Sequence, residues 1–190
     1  MRVRRHLFCA SLLLAALGEA AHAADDFSVD AQRSGDSIEV RAHAAIATTP
    51  DLVWQVISDY GRLSEFIPGI SKSTVLSRSG NRAQVEQEGE ARFLIFSVPI
   101  HVRLDVVEHP LEWITTRSVG GNVRRMVARY DIEVERKRGG VTLRYSGSIE
   151  PDFDLPPLVG MLALRSTFES QFGAVVREIE RRTARGGSRP

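Results

Sequence analysis

The chain has almost no cysteine. Its single thiol, Cys9, lies near the N-terminus, so the remainder can build no disulfide, no thiolate metal site and no thiol nucleophile. An excess of charge is missing as well: 25 basic residues against 24 acidic ones leave a net charge of +1. A near-neutral domain lacks the electrostatic footprint that nucleic-acid phosphates require. It also lacks the polybasic patch that would hold it on anionic lipid. Long apolar runs are absent: the run from Leu7 to Leu17 falls short of the roughly 20 residues a membrane-spanning helix needs. No Gly-x-Ser-x-Gly elbow, P-loop or dinucleotide fingerprint occurs. His43, His101 and His109 show no spacing that suggests zinc. No motif names a catalytic group, a metal or a cofactor.

What is present begins with a leader. Met-Arg-Val-Arg-Arg, the short apolar run and Ala21-His22-Ala23 have the charged start, apolar middle and small-residue exit of a secretory signal peptide, with cleavage expected after Ala23. Arg4-Arg5 only faintly resembles a twin-arginine signal, so ordinary export is the expectation. Cys9 sits near the start of the apolar run, whereas a lipoprotein cysteine belongs at its end. Cleavage would remove Arg2, Arg4, Arg5 and Glu19 and take the net charge from +1 to −1. A soluble periplasmic or secreted domain is expected, without stable membrane insertion.

Residues 24–37 are polar and acidic without a clear period, and are expected to be irregular. Ile38, Val40, Ala42, Ala44 and Ile46 then alternate as in a strand. Thr48-Thr49-Pro50-Asp51 starts a helix, with a hydroxyl cap, a proline in the first turn and an acid behind it. A second short helix is expected over 63–66, ahead of Pro68-Gly69. Strands follow at 73–78, 83–91 and 93–107, with Pro99 marking an edge, bend or bulge in the last. Further strands at 113–119, 126–134 and 141–149 alternate apolar and polar, as in an antiparallel sheet covered on one face. Leu158, Met161, Leu162, Phe168, Phe172, Val175, Val176 and Ile179 then recur at helical spacing. That helix would be about 35–40 Å long, enough to cross a whole sheet. Residues 184–190 read as a flexible tail.

This order resembles the START-like superfamily of polyketide cyclase/dehydrases and coenzyme Q-binding proteins. Ile46-Ala-Thr-Thr-Pro-Asp-Leu-Val-Trp54 is similar to its first strand running into a helix. Val56 to Tyr60, Leu63 and Phe66-Ile67-Pro68-Gly69 are similar to its second short helix and exit. Gly139-Gly140 leading to Tyr145, then Glu150-Pro151 and Leu155-Pro156, resemble its last hairpin and crossover. The resemblance spans 38–183 as one domain. It implies an α+β helix-grip fold: a curved antiparallel sheet of six to seven strands wrapped around a long C-terminal helix, with a cavity between them.

Trp54, Tyr60, Phe66, Phe96, Trp113, Met126, Tyr130, Tyr145, Met161, Phe168 and Phe172 come from elements that face one another in that fold. Each alone reads as core; as a set within this fold they read as a ligand-binding cavity, whose apolar walls favour an apolar ligand by roughly 25 cal/mol per Å² buried. Alternation turns Ile100, Val102, Leu104 and Val106 inward and leaves His101, Arg103 and Asp105 in solvent. Arg129, Asp131, Glu133, Glu135 and Arg144 suggest an outer charge ladder, and Asp59 reads as a helix end.

The leading expectation is an exported binder or carrier of a lipid, isoprenoid or quinone-like molecule. The second is a polyketide cyclase or dehydratase that uses Tyr130 or Tyr145 to polarise an oxygen. The third is a protein-interaction module acting through the sheet edge or the long helix.

Overall fold

The computed structural model describes residues 26–92, 97–137, 139–152 and 159–186. In chain order these form β1 Phe27–Ser34, β2 Ser37–Ile46, α1 Pro50–Ile57, a 3₁₀ helix Tyr60–Glu65, β3 Ile70–Ser79, β4 Arg82–Arg92 and β5 Ser97–His109. β6 Trp113–Gly121, β7 Val123–Val134, β8 Val141–Pro151 and α2 Val159–Gly186 complete the chain. One eight-stranded antiparallel sheet runs β1-β2-β8-β7-β6-β5-β4-β3, with α2 against its inner face.

The architecture is the expected helix grip, with one strand more than the six to seven foreseen. The addition is β1, in the segment expected to be irregular. As an edge strand, β1 buries only Val29 deeply, so its sequence shows no alternation. Its hydrogen-bond ladder to β2, from Phe27–Ala44 to Ser34–Ser37, defines it instead. At the other end of the chain α2 continues to Gly186, past the expected start of the tail. The leader and its cleavage site lie outside the described residues.

Local signals account for the turns and caps. Thr49 caps α1 by accepting from the Leu52 amide at 3.4 Å, with Pro50 opening the helix. At Pro99 the β6 side of β5 has no paired strand, since β5–β6 pairing begins at Val102. A proline therefore costs no ladder bond there, and the Asn122 amide donates to its carbonyl at 2.7 Å. Gly89 permits a backbone crossing: a Cβ there would fall 1.9 Å from the Gly69 carbonyl oxygen.

Period-two alternation packs the inner face. Val40, Ala42, Val85, Val102, Leu104, Val106, Ile114, Val141 and Leu143 are all buried. The C-terminal half of α2 seals this layer with Phe172, Val175, Val176 and Ile179. Its N-terminal half is held less closely, and Leu162 remains 73% exposed. The outer face carries the expected charges: Arg129 donates to Asp131 at 2.8 Å and Arg144 to Glu133 at 2.8 Å. His101 and Arg103 are exposed and meet Glu86 at 3.3 and 3.2 Å.

Glu178, only 6% exposed, ties α2 to the helical side of the fold. It accepts from Arg181 at 2.7 Å and from Arg182 at 2.7 Å. Arg182 also reaches Asp59, just past α1, at 3.2 Å. Arg181 first, then Arg182, hold the Glu178 carboxyl down at about 2 against an ordinary 4.5. A depressed folded-state pKa contributes stability that is complete above pH 4.5 and lost as pH falls toward 2. With solvent screening of the half-exposed Arg181 the expected contribution is about 1–2 kcal/mol. Urea melts between pH 7 and pH 2.5 should therefore show a steeper acid loss in the wild type than in Glu178→Gln; parallel curves would refute this role.

Candidate functional site

A cavity of about 160 Å³ lies between the inner sheet face, α1, the 3₁₀ helix and α2. α2 roofs it with Phe168, Gln171, Phe172 and Val175, where its looser first half passes into its closely packed second half. The volume is close to the roughly 150 Å³ of an engineered apolar cavity that accepts benzene. It is smaller than the roughly 300–1,000 Å³ of drug-sized ligand pockets. A space of this size suits a single ring or a short aliphatic segment.

Tyr60, Met126, Tyr130, Tyr145, Phe168 and Phe172, all singled out from the sequence, line this cavity. Four others stand elsewhere. Trp54 and Phe66 pack against the core without lining the cavity. Trp113 is on the outer face, stacked with His109 and covered by the Arg129 guanidinium at 4.7 Å, because the alternation of β6 turns Ile114 inward instead. Met161 is half-buried on the looser half of α2, outside the lining. Phe96 lies outside the described residues.

The lining also includes Gln87, Thr116 and Gln171, which the sequence reading passed over. Gln87 and Thr116 occupy inner positions next to Val85 and Ile114 on their strands. A polar residue in an inward register was the available signal. Gln171 donates to the Pro68 carbonyl at 3.1 Å and fastens the turn before β3 to α2.

The three tyrosines differ in what their hydroxyls meet. The Tyr60 hydroxyl is sealed from the cavity and forms no well-made hydrogen bond. Burial, and then the neighbouring Glu108 carboxylate, push its pKa upward. Glu108 itself is buried and pairs with Arg78 at 3.2 Å. Tyr130 and Tyr145 are direct cross-strand neighbours, with ring centroids 5.0 Å apart. Phe168 from α2 completes the cluster at 6.5 Å from the Tyr145 ring.

Burial pushes the Tyr130 hydroxyl up to about 12 and raises Tyr145 further. Both residues are half-buried and form part of the cavity wall. At neutral pH both are proton-bearing donors. No Asp, Glu, His, Lys or Arg lines the cavity among the described residues, and no cluster there could hold a metal ion.

Comparison with known proteins agrees with this geometry. Residues 46–175 match the model of the family described as polyketide cyclase/dehydrase and lipid transport. A START superfamily protein from Mycobacterium smegmatis superposes with a TM-score of 0.63 at 20% identity, over 76% of this chain and 99% of that one. A STAR-related lipid transfer protein from Xanthomonas axonopodis gives 0.60 at 13% identity, over 82% and 99%. The Zhui aromatase/cyclase from Streptomyces sp. R1128 gives 0.59 at 17% identity, over 77% and 95%. At these identities the likeness speaks for the fold alone. No curated protein sequence matches the chain.

Proposed function

This chain belongs to the polyketide cyclase/dehydrase and lipid transport family, and we propose that within it the protein binds or carries an apolar small molecule without turning it over. Family and fold support a hydrophobic-ligand-binding or polyketide cyclase-like role. The observation that favours binding is the composition of the cavity wall: apolar side chains, amides and hydroxyls, with no ionised group among the described residues. General acid–base chemistry works best with a group that titrates near the operating pH, and burial drives both tyrosines away from that range.

Those tyrosines carry the second reading. A protonated phenol can polarise a carbonyl oxygen, as a cyclase or dehydratase step would need. If turnover occurs, Tyr130→Phe or Tyr145→Phe should abolish it while leaving the fold intact.

The charged start, apolar run and Ala21-His22-Ala23 support a working place in the periplasm or outside the cell. Among the described residues no helix is long and apolar enough to cross a membrane. One measurement addresses binding and export together: native mass spectrometry of protein recovered from the periplasm of its own host. The expected result is a chain beginning at Ala24 with a discrete adduct released by organic solvent. A clean mass without adduct would argue against the carrier reading, and an uncleaved chain against export.

A further inference from the structure

Among the described residues the two cavity hydroxyls have nothing to bond. Neither Tyr130 nor Tyr145 has a hydrogen-bond partner among the described residues, and neither hydroxyl oxygen is sealed off as that of Tyr60 is. A hydroxyl in an apolar wall is costly unless something in the cavity bonds it, and here two tyrosines stand side by side on paired strands. The backbone makes room for one of them. A Cβ on Gly147 would lie 2.6 Å from the Tyr145 hydroxyl oxygen, so any larger residue there would push that hydroxyl aside.

We infer that the enclosed part of the ligand is a neutral, ring-sized apolar group bearing an acceptor oxygen, and that the Tyr130 and Tyr145 hydroxyls hold that oxygen. The inference rests on the binding reading above and narrows its ligand class. A carbonyl oxygen has two lone pairs and can accept from both phenols. A carboxylate or phosphate head is disfavoured because no cation lines the cavity among the described residues, and a buried anion without a counter-charge is heavily penalised. Size sets the other limit: about 160 Å³ encloses one ring, so a longer ligand would enter oxygen-first with its remainder outside.

Three molecules of nearly equal shape separate these factors: ethylbenzene, acetophenone and benzoate. Their affinities would be measured at pH 7 by calorimetry or NMR titration, for the wild type, Tyr130→Phe, Tyr145→Phe and the double variant. Acetophenone should bind the wild type and weaken about three- to tenfold with each lost hydroxyl. Ethylbenzene should bind all four proteins about equally, which also shows that the variants are folded. Benzoate should bind at least about a hundredfold more weakly than acetophenone. Gly147→Ala should weaken acetophenone selectively by displacing the Tyr145 hydroxyl.

If ethylbenzene binds but acetophenone ignores both tyrosine changes, the oxygen grip is overturned while cavity binding survives. Benzoate binding as tightly as acetophenone would likewise overturn it. Failure of ethylbenzene to bind the wild type would overturn both this inference and the binding reading beneath it.

Discussion

Ile179→Ala is expected to cost the fold about 2–5 kcal/mol, the range for emptying a well-packed aliphatic site. Ile179 is fully buried and belongs to the cluster that joins α2 to the sheet. Truncation removes both transfer free energy and dispersion contacts, and the packed core around the site limits how far it can collapse. Domains of this kind have only about 5–15 kcal/mol in total, so the three carbons lost from one side chain hold a large fraction of the stability. Leu162→Ala on the same helix is the control. At 73% exposure, it should change stability by no more than about 0.5 kcal/mol. Chemical denaturation of both variants decides the point. Equal losses would mean that α2 is held as closely along its first half as along its second.

Ala128→Phe should abolish binding of a ring-sized probe such as ethylbenzene, with a loss of at least about a hundredfold in affinity. Ala128 is buried on the inner face of β7 and its methyl forms part of the cavity wall. A phenyl group there occupies the space the probe would take. Overpacking elsewhere in a core costs about 1–3 kcal/mol, but here the existing void absorbs part of the added volume, so the melting temperature should change little. Val106→Phe approaches the same cavity from β5 and should act alike if the void is the site. Unchanged probe binding in both folded variants would move the binding site elsewhere on the protein.

Much of the fold was legible because its signals are local. The Thr49-Pro50-Asp51 start of α1, the Gly139-Gly140 hairpin and the inward alternation of Val102, Leu104 and Val106 depend on neighbouring residues alone. β1 was not legible, since an edge strand with one deeply buried side chain has no pattern of its own; its pairing with β2 makes it a strand. The site was half legible. Alternation placed Tyr130 and Tyr145 on one face and could have excluded Trp113, whose neighbour Ile114 takes the inward register. It gave no reason to separate Trp54 and Phe66, which pack as core, from Tyr60 and Phe168, which border the cavity.

Composition and periodicity by themselves determined a near-neutral chain without thiol chemistry beyond Cys9, a one-sided antiparallel sheet and a long amphipathic C-terminal helix. Only the tertiary structure decided which apolar side chains meet a void and which meet one another. Sequence periodicity assigns a residue to a face, while a cavity depends on how far two elements stand apart. That distance along α2 is set by the summed packing of Phe172, Val175, Val176 and Ile179 against strands brought together from across the chain. The same packing leaves Tyr130 and Tyr145 in the cavity wall without a hydrogen-bond partner among the described residues.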